Sequence, residues 1–187
     1  MENMMYASID EVDDVSSKAE YAECIRIGMS PEEAMKAVNQ YSRDNTRTPF
    51  QWNNTEHAGF TTGTPWLKVN PNYPDINAQK QEDDPESVLN FYRKLCALRR
   101  NPEFQDTLTY GKTEPFMEQE PGIMAYFRRG QLQDILVVGN FTAESKSVEI
   151  QEIVKKSVTV LLSNDQEEWE ENQLILKPFQ VVVLSLT

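Results

Sequence analysis

Eleven consecutive residues, Ser42-Arg43-Asp44-Asn45-Thr46-Arg47-Thr48-Pro49-Phe50-Gln51-Trp52, carry two guanidiniums, a carboxylate, carboxamides and two aromatic rings, with almost no aliphatic content. Such a stretch cannot build a core. It does hold the side-chain types that grip a neutral polyhydroxyl ligand. Planar Arg forks and Asp or Asn oxygens hydrogen-bond to hydroxyls, and aromatic faces cover the C–H faces of a sugar ring. Arg47, Arg43 and Asp44 are the candidate ligand-binding residues, although the adjacent Arg43 and Asp44 read mainly as ion-pair and hydrogen-bond anchors within the loop. Phe50 and Trp52, with Phe60 and Trp66 further along, are candidates for a sugar platform; the alternative is that their rings are buried to pin an irregular loop. Arg47 likewise has a second reading, as a brace for the loop itself.

Other chemistries find little support. The chain has a single histidine, His57, and no Ser-centred or Cys-centred elbow accompanies it, so a role in fixing the loop is expected rather than general-base work. Cys24 and Cys96 are far apart, without a CxxC, which supports neither a zinc site nor a disulfide framework. No cofactor and no metal is expected. The stretch Asp10-Glu11-Val12-Asp13-Asp14 reads as a solvated acidic loop. A formal charge of -12, from 30 acidic against 18 basic residues, does not suit a nucleic-acid partner, which needs a basic face to displace counterions. No apolar run approaches membrane-spanning length, and the first residues show neither the basic region nor the apolar core of a signal peptide. Reduced thiols in the cytoplasm are the default expectation.

The elements that must position the run are legible on both sides of it. Ser17 with Glu20 fits a capping box for a helix reaching Ile27, with Gly28 as its stop. Ser30-Pro31-Glu32-Glu33 supplies an N-cap, a proline in the first helical turn and a reciprocal Glu for a second helix. Residues 42–82, punctuated by Pro49, Pro65, Pro71 and Pro74, read as an irregular loop, a length that is usually functional inside a compact domain. Asp84-Pro85-Glu86 opens a helix whose apolar stripe is Val88, Phe91, Leu95 and Leu98, ended by Asn101-Pro102. From about residue 104 the texture is that of strands: 123–127, 135–138, 147–150, 157–162, 173–177 and 181–186 are rich in β-branched and aliphatic residues. Their spacing predicts an antiparallel sandwich.

The run at 42–52, followed by His57-Ala58-Gly59-Phe60-Thr61-Thr62-Gly63 and Pro65-Trp66-Leu67-Lys68-Val69-Asn70-Pro71-Asn72-Tyr73, resembles a signature loop of the alpha-amylase family, glycoside hydrolase family 13, in its alpha-glucosidase and oligo-1,6-glucosidase branch. The resemblance implies that the loop lies near the end of a catalytic (β/α)8 barrel and lines a glucose pocket. It also implies that Arg47, just before Thr48-Pro49, reaches the non-reducing glucose, and that a β-sandwich follows the barrel. Such a barrel needs about 250 residues, and this chain has 187. Retaining glycosidases also need two carboxyl groups about 5–5.5 Å apart across the scissile bond. The family takes them from earlier barrel strands, and none of those motifs is present here, so no catalytic residue is assigned and the chain alone is expected to be inactive.

The expected fold class is therefore α+β, the tail of a TIM-type barrel in loops and helices followed by an antiparallel β-sandwich. The expected domains are 1–103, a barrel remnant with the pocket loop 42–82, and 104–187, the sandwich. The implied activity is that of an enzyme hydrolysing alpha-1,6 glucosidic bonds of short oligosaccharides, with alpha-1,4 bonds as an extension. The expected partners are an alpha-glucosidic oligosaccharide and the missing N-terminal barrel part. Trehalose-6-phosphate hydrolase, dextran glucosidase and isomaltulose synthase share nearly the same loop and remain alternatives. A non-catalytic sugar-binding or scaffolding module is the alternative of another class.

Overall fold

Helix initiation begins at an acidic cap. Asp14 accepts a hydrogen bond from Ser17 N at 3.2 Å and so starts α1 (Val15–Arg26). The capping box expected at Ser17 is thus displaced: Ser17 lies inside the first turn, and its hydroxyl also donates to Asp14, at 2.8 Å. Gly28, at φ +96°, makes the left-handed exit predicted for it. α2 (Pro31–Tyr41) begins on the expected reciprocal box, with Glu33 N donating to Ser30 Oγ and Ser30 N donating to Glu33 Oε2. Buried Val38 joins Met4, Tyr6 and Val12 in a small core, with Ile9, Tyr21 and Met35 packed partly buried against it. This computed structural model describes residues 2–150 and 157–187.

Residues 42–82 are largely irregular, as expected, broken only by 3-10 turns at Arg43–Thr46 and Glu56–Gly59 and by the short α3 (Ala78–Glu82). Contacts divide the chain into two compact units after Ser87. The second unit opens with α4 (Val88–Arg100), which starts three residues later than the sequence suggested. Asp84 makes a turn there, accepting from Glu86 N through its carboxylate and from Ser87 N through its carbonyl.

Asn101-Pro102 ends α4 but also begins another helix, α5 (Pro102–Tyr110). Asn101 accepts from Glu103 N, and proline occupies the first turn, where a missing N–H costs nothing. Residues 104–110 are therefore helical, not the onset of strands; their Thr and aromatic content disguised them.

Among the described residues, eight antiparallel strands follow: β1 (Lys112–Phe116), β2 (Ile123–Arg129), β3 (Asp134–Asn140), β4 (Lys146–Glu149), β5 (Val158–Ser163), β6 (Glu168–Glu170), β7 (Gln173–Leu176) and β8 (Val181–Leu186). They form a five-stranded sheet, β1-β2-β3-β8-β5, and a three-stranded sheet, β4-β7-β6. Six of them are the six expected from sequence, within two residues. The two not expected, β1 and β6, are both edge strands. Pro115 in β1 and Glu168 and Glu170 in β6 are what keeps an edge from recruiting a further strand, and they hide the alternation.

The sandwich core is continuous between the sheets. Ala125, Phe127, Leu136, Val138, Val182, Leu184 and Leu186 of the larger sheet meet Val148, Ile150, Leu174 and Leu176 from β4, β7 and the residue after β4. The opposite face of the larger sheet is covered too. Phe104 of α5 packs with Ile135, Leu162 and Val183, and Phe91 and Leu98 of α4 join them. Burial on both faces explains why β3 and β8 read as unbroken apolar runs, Ile135-Leu136-Val137-Val138 and Val181-Val182-Val183-Leu184, rather than as alternating strands.

Leu136→Ala, inside the sandwich, should lower unfolding free energy by about 2–5 kcal/mol through lost transfer energy and a residual cavity. Leu132→Ala, at a residue 90% exposed, should stay within about 0.5 kcal/mol. Urea titrations followed by circular dichroism check the contrast.

Candidate functional site

The 3-10 turn at Arg43–Thr46 is closed by local side chains. Ser42 Oγ accepts from Asp44 N at 3.2 Å, and Thr46 Oγ1 donates to Arg43 O at 2.9 Å. Asp44 points inward and is fully buried. Its Oδ2 accepts the backbone N–H groups of both Asp13 (2.7 Å) and Asp14 (2.9 Å), thirty residues upstream. Two charge-assisted bonds offset much of the desolvation of that carboxylate. Asp44 thus anchors the turn to the start of α1.

Arg47 stands over two carboxylates. Its Nη1 lies 3.8 Å from Asp44 Oδ1 and 4.0 Å from Asp14 Oδ1. Arg43 Nε lies 3.9 Å from the same Asp14 oxygen. Arg43, Asp44 and Arg47 are therefore brought together, with Asp14 as the residue they share. The Arg47 side chain keeps 33% of its surface exposed. Asp14 is 6% exposed, not a solvated member of an acidic loop as its sequence context suggested. The reason is its double role as helix cap and ion-pair partner. Its carboxyl is held below the usual aspartate range, first by the Ser17 hydroxyl and then, against the effect of burial, by the Ser17 N–H and the nearby Arg43 and Arg47. Tyr6 is pushed the other way, above the usual phenol value, by burial and then by Asp44, Glu11 and Asp13.

Asp14 does not stand out in the sequence because it ends an acidic run. The signal that could have found it is an Asp three residues before Ser17 at a helix start.

The rest of the loop is held by side-chain amides in place of a backbone ladder. Asn39 exchanges two hydrogen bonds with the backbone of Tyr6. Asn45 accepts from Met4 N and donates to Asn39 O. Gln51 donates to Asn72 Oδ1 and Ile76 O, Asn70 donates to Glu2 O, and Asn77 caps α3 at Lys80 N. Lys68 adds an ion pair to Glu11 at 2.6 Å.

Three successive residues, His57 (φ 53°), Ala58 (φ 57°) and Gly59 (φ 67°), occupy left-handed backbone. This aims Ala58 O at two donors, Trp52 N (2.9 Å) and Asn53 N (3.2 Å). His57 is thus part of a loop-closing turn, its Nε2 only 3.8 Å from the exposed Glu56. The four aromatic candidates are all exposed in the first unit: Phe50 45%, Trp52 55%, Phe60 49% and Trp66 70%. Phe50 and Trp52 meet edge to face at 4.6 Å. Among the described residues, Phe60 and Trp66 make no ring contact with that pair. Also among the described residues, no group of three or more His, Cys, Asp or Glu side chains could hold a metal ion, and no helix is long and apolar enough to cross a membrane.

Residues 10–111 match the family model of the alpha amylase catalytic domain, and residues 123–183 match that of the alpha-amylase SusG C-terminal domain. The chain is 38% identical to the oligo-1,6-glucosidase of Bacillus cereus, over 100% of its own length and 33% of that enzyme. Among solved structures it is similar to the trehalose-6-phosphate hydrolase of Bacillus licheniformis, with a TM-score of 0.90 at 35% identity, covering 100% of this chain and 34% of that one. It is also similar to the isomaltulose synthase of Klebsiella sp. LX3, with a TM-score of 0.86 at 33% identity, covering 99% and 33%. The chain spans about a third of the length of the relatives it matches.

Gly59→Ala should destabilise the loop. The new Cβ would lie 2.6 Å from the Asn53 carboxamide, and left-handed backbone costs a non-glycine residue about 1–2 kcal/mol. Gly63→Ala, where the nearest atom is 3.8 Å away, should be close to neutral. Limited proteolysis between residues 50 and 70 distinguishes the two.

Proposed function

The chain belongs to the alpha-amylase family, and from that premise we propose that it is the C-terminal third of an alpha-glucosidase of the oligo-1,6-glucosidase type. The observation that carries this reading is Arg47: one guanidinium nitrogen is held by Asp14 and Asp44 while a third of the side chain stays open to a ligand. A guanidinium placed in that way can donate to neighbouring sugar hydroxyls and remain charged throughout. Its task would be orientation of a terminal glucose.

The nucleophilic carboxylate and the acid would come from the other two thirds of such an enzyme, because none of their motifs occurs in these residues. The reaction would be double displacement through a glucosyl-enzyme, with net retention. In this reading residues 1–103 derive from the barrel and 104–187 from the sandwich, even though α4 and α5 pack with the sheet. Phe50 and Trp52 would offer a sugar platform, with Phe60 and Trp66 on the same loop. The partners would be a short alpha-glucosidic oligosaccharide and the N-terminal barrel part, and neither a nucleic acid nor a membrane. A cytoplasmic location agrees with the two unpaired cysteines.

The similarity to trehalose-6-phosphate hydrolase and isomaltulose synthase favours a second reading, in which the same segment serves one of those reactions. The substrate separates them. A chimera carrying residues 1–187 in place of the matching third of the Bacillus cereus oligo-1,6-glucosidase should hydrolyse isomaltose in preference to trehalose 6-phosphate or sucrose. The 187-residue chain alone should turn over none of them. In the chimera, Arg47→Ala should lower kcat/KM roughly 10- to 100-fold, the value of a hydrogen bond to a charged group. An unchanged kcat/KM would remove Arg47 from the pocket.

A further inference from the structure

We infer that Asp14 is a positioning residue for the Arg47 guanidinium; its consequence for sugar binding rests on the alpha-glucosidase reading above. An arginine side chain has four rotatable bonds, and a ligand that must first order it loses affinity by the entropy of doing so. Here the ordering is built into the fold. One oxygen of Asp14 is committed to Ser17, at 3.2 Å from its N–H and 2.8 Å from its hydroxyl, which fixes the plane of the carboxylate. The backbone N–H of Asp14 is itself held by Asp44 Oδ2 at 2.9 Å. The second Asp14 oxygen is thereby aimed at Arg47 Nη1, 4.0 Å away, while Asp44 Oδ1 approaches the same nitrogen at 3.8 Å from a different segment.

Two negative oxygens near one terminal nitrogen, at ion-pair distance, bias the direction of the fork. Both carboxylates approach Arg47 at Nη1. Asp14 is nearly buried and Arg47 is not, so the carboxylate acts as the fixed post and the guanidinium as the arm. Arg43 Nε, 3.9 Å from the same oxygen, adds a second cation that discourages Asp14 from taking up a proton. Asp44 is unsuitable as the test of this arrangement, since its loss also frees two backbone donors. Asp14 can be changed with the helix start kept.

The experiment uses Asp14→Asn in the 187-residue chain. Asn caps helices about as well as Asp, so α1 should persist and the unfolding midpoint should stay close to that of the unaltered chain. The 15N heteronuclear NOE of the Arg47 Nε–H should fall towards the value of a solvent-exposed arginine. Ser17→Ala, which weakens the cap but keeps the charge, should leave more of that order in place, and Asp14→Glu should restore part of it. Arg47 order identical in Asp14→Asn and the unaltered chain would overturn the inference. In the chimera, Asp14→Asn should raise KM for isomaltose about three- to fivefold, the range of a partly exposed ion pair, with kcat changing less. Lost order with unchanged KM would leave the positioning intact and refute the glucose-binding role of Arg47 instead.

Discussion

A single buried oxygen, Asp44 Oδ2, receives the backbone N–H groups of two consecutive residues, and the geometry of the first unit follows from that pincer. A carboxylate without solvent is costly unless hydrogen bonds replace the water it loses. Asp13 and Asp14 supply two, and in doing so they bring the start of α1 against the turn at 43–46. Asp14 is then in place to begin the helix, and its remaining oxygen meets the two arginines. Helix start, loop anchor and a partly exposed cation are consequences of one contact between residues thirty apart.

That distance explains what the sequence could and could not disclose. The density of Arg, Asp and aromatic residues at 42–52 stands out because it is local, and so do the reciprocal Ser30–Glu33 cap and the Gly28 stop. The partnership of Asp14 with Arg47 leaves no local pattern, since each looks ordinary among its own neighbours. α5 was hidden for another reason. Asn-Pro ends one helix and starts the next with the same chemistry, an Asn cap and a proline in the first turn, so the pair alone does not say which it is doing. β1 and β6 were hidden by the prolines and acids that edge strands use for protection, whereas β3 and β8 were plain because both their faces are apolar.

The two units are stabilised by different physics. The second rests on area: a sheet covered on one face by another sheet and on the other by α4 and α5 removes long apolar runs from water. The first has a small core around Tyr6, Val12 and Val38 and rests more on directed polar bonds, which fix geometry more than they add net stability. A long irregular loop has more use for direction than for area.

Among the described residues, most of the long-range side-chain hydrogen bonds of this unit are made by Asn and Gln, and carboxamides neither titrate nor carry charge. Added salt, which weakens exposed ion pairs, therefore leaves this frame largely untouched, and so does a change of proton concentration. Sensitivity to both is concentrated in the few carboxylates and guanidiniums at its centre. The weakness of the frame lies elsewhere, in slow chemical loss of the amide groups on prolonged heating. Each such event would put a new negative charge where a neutral donor had been, so chemical ageing of the loop would be written in charge.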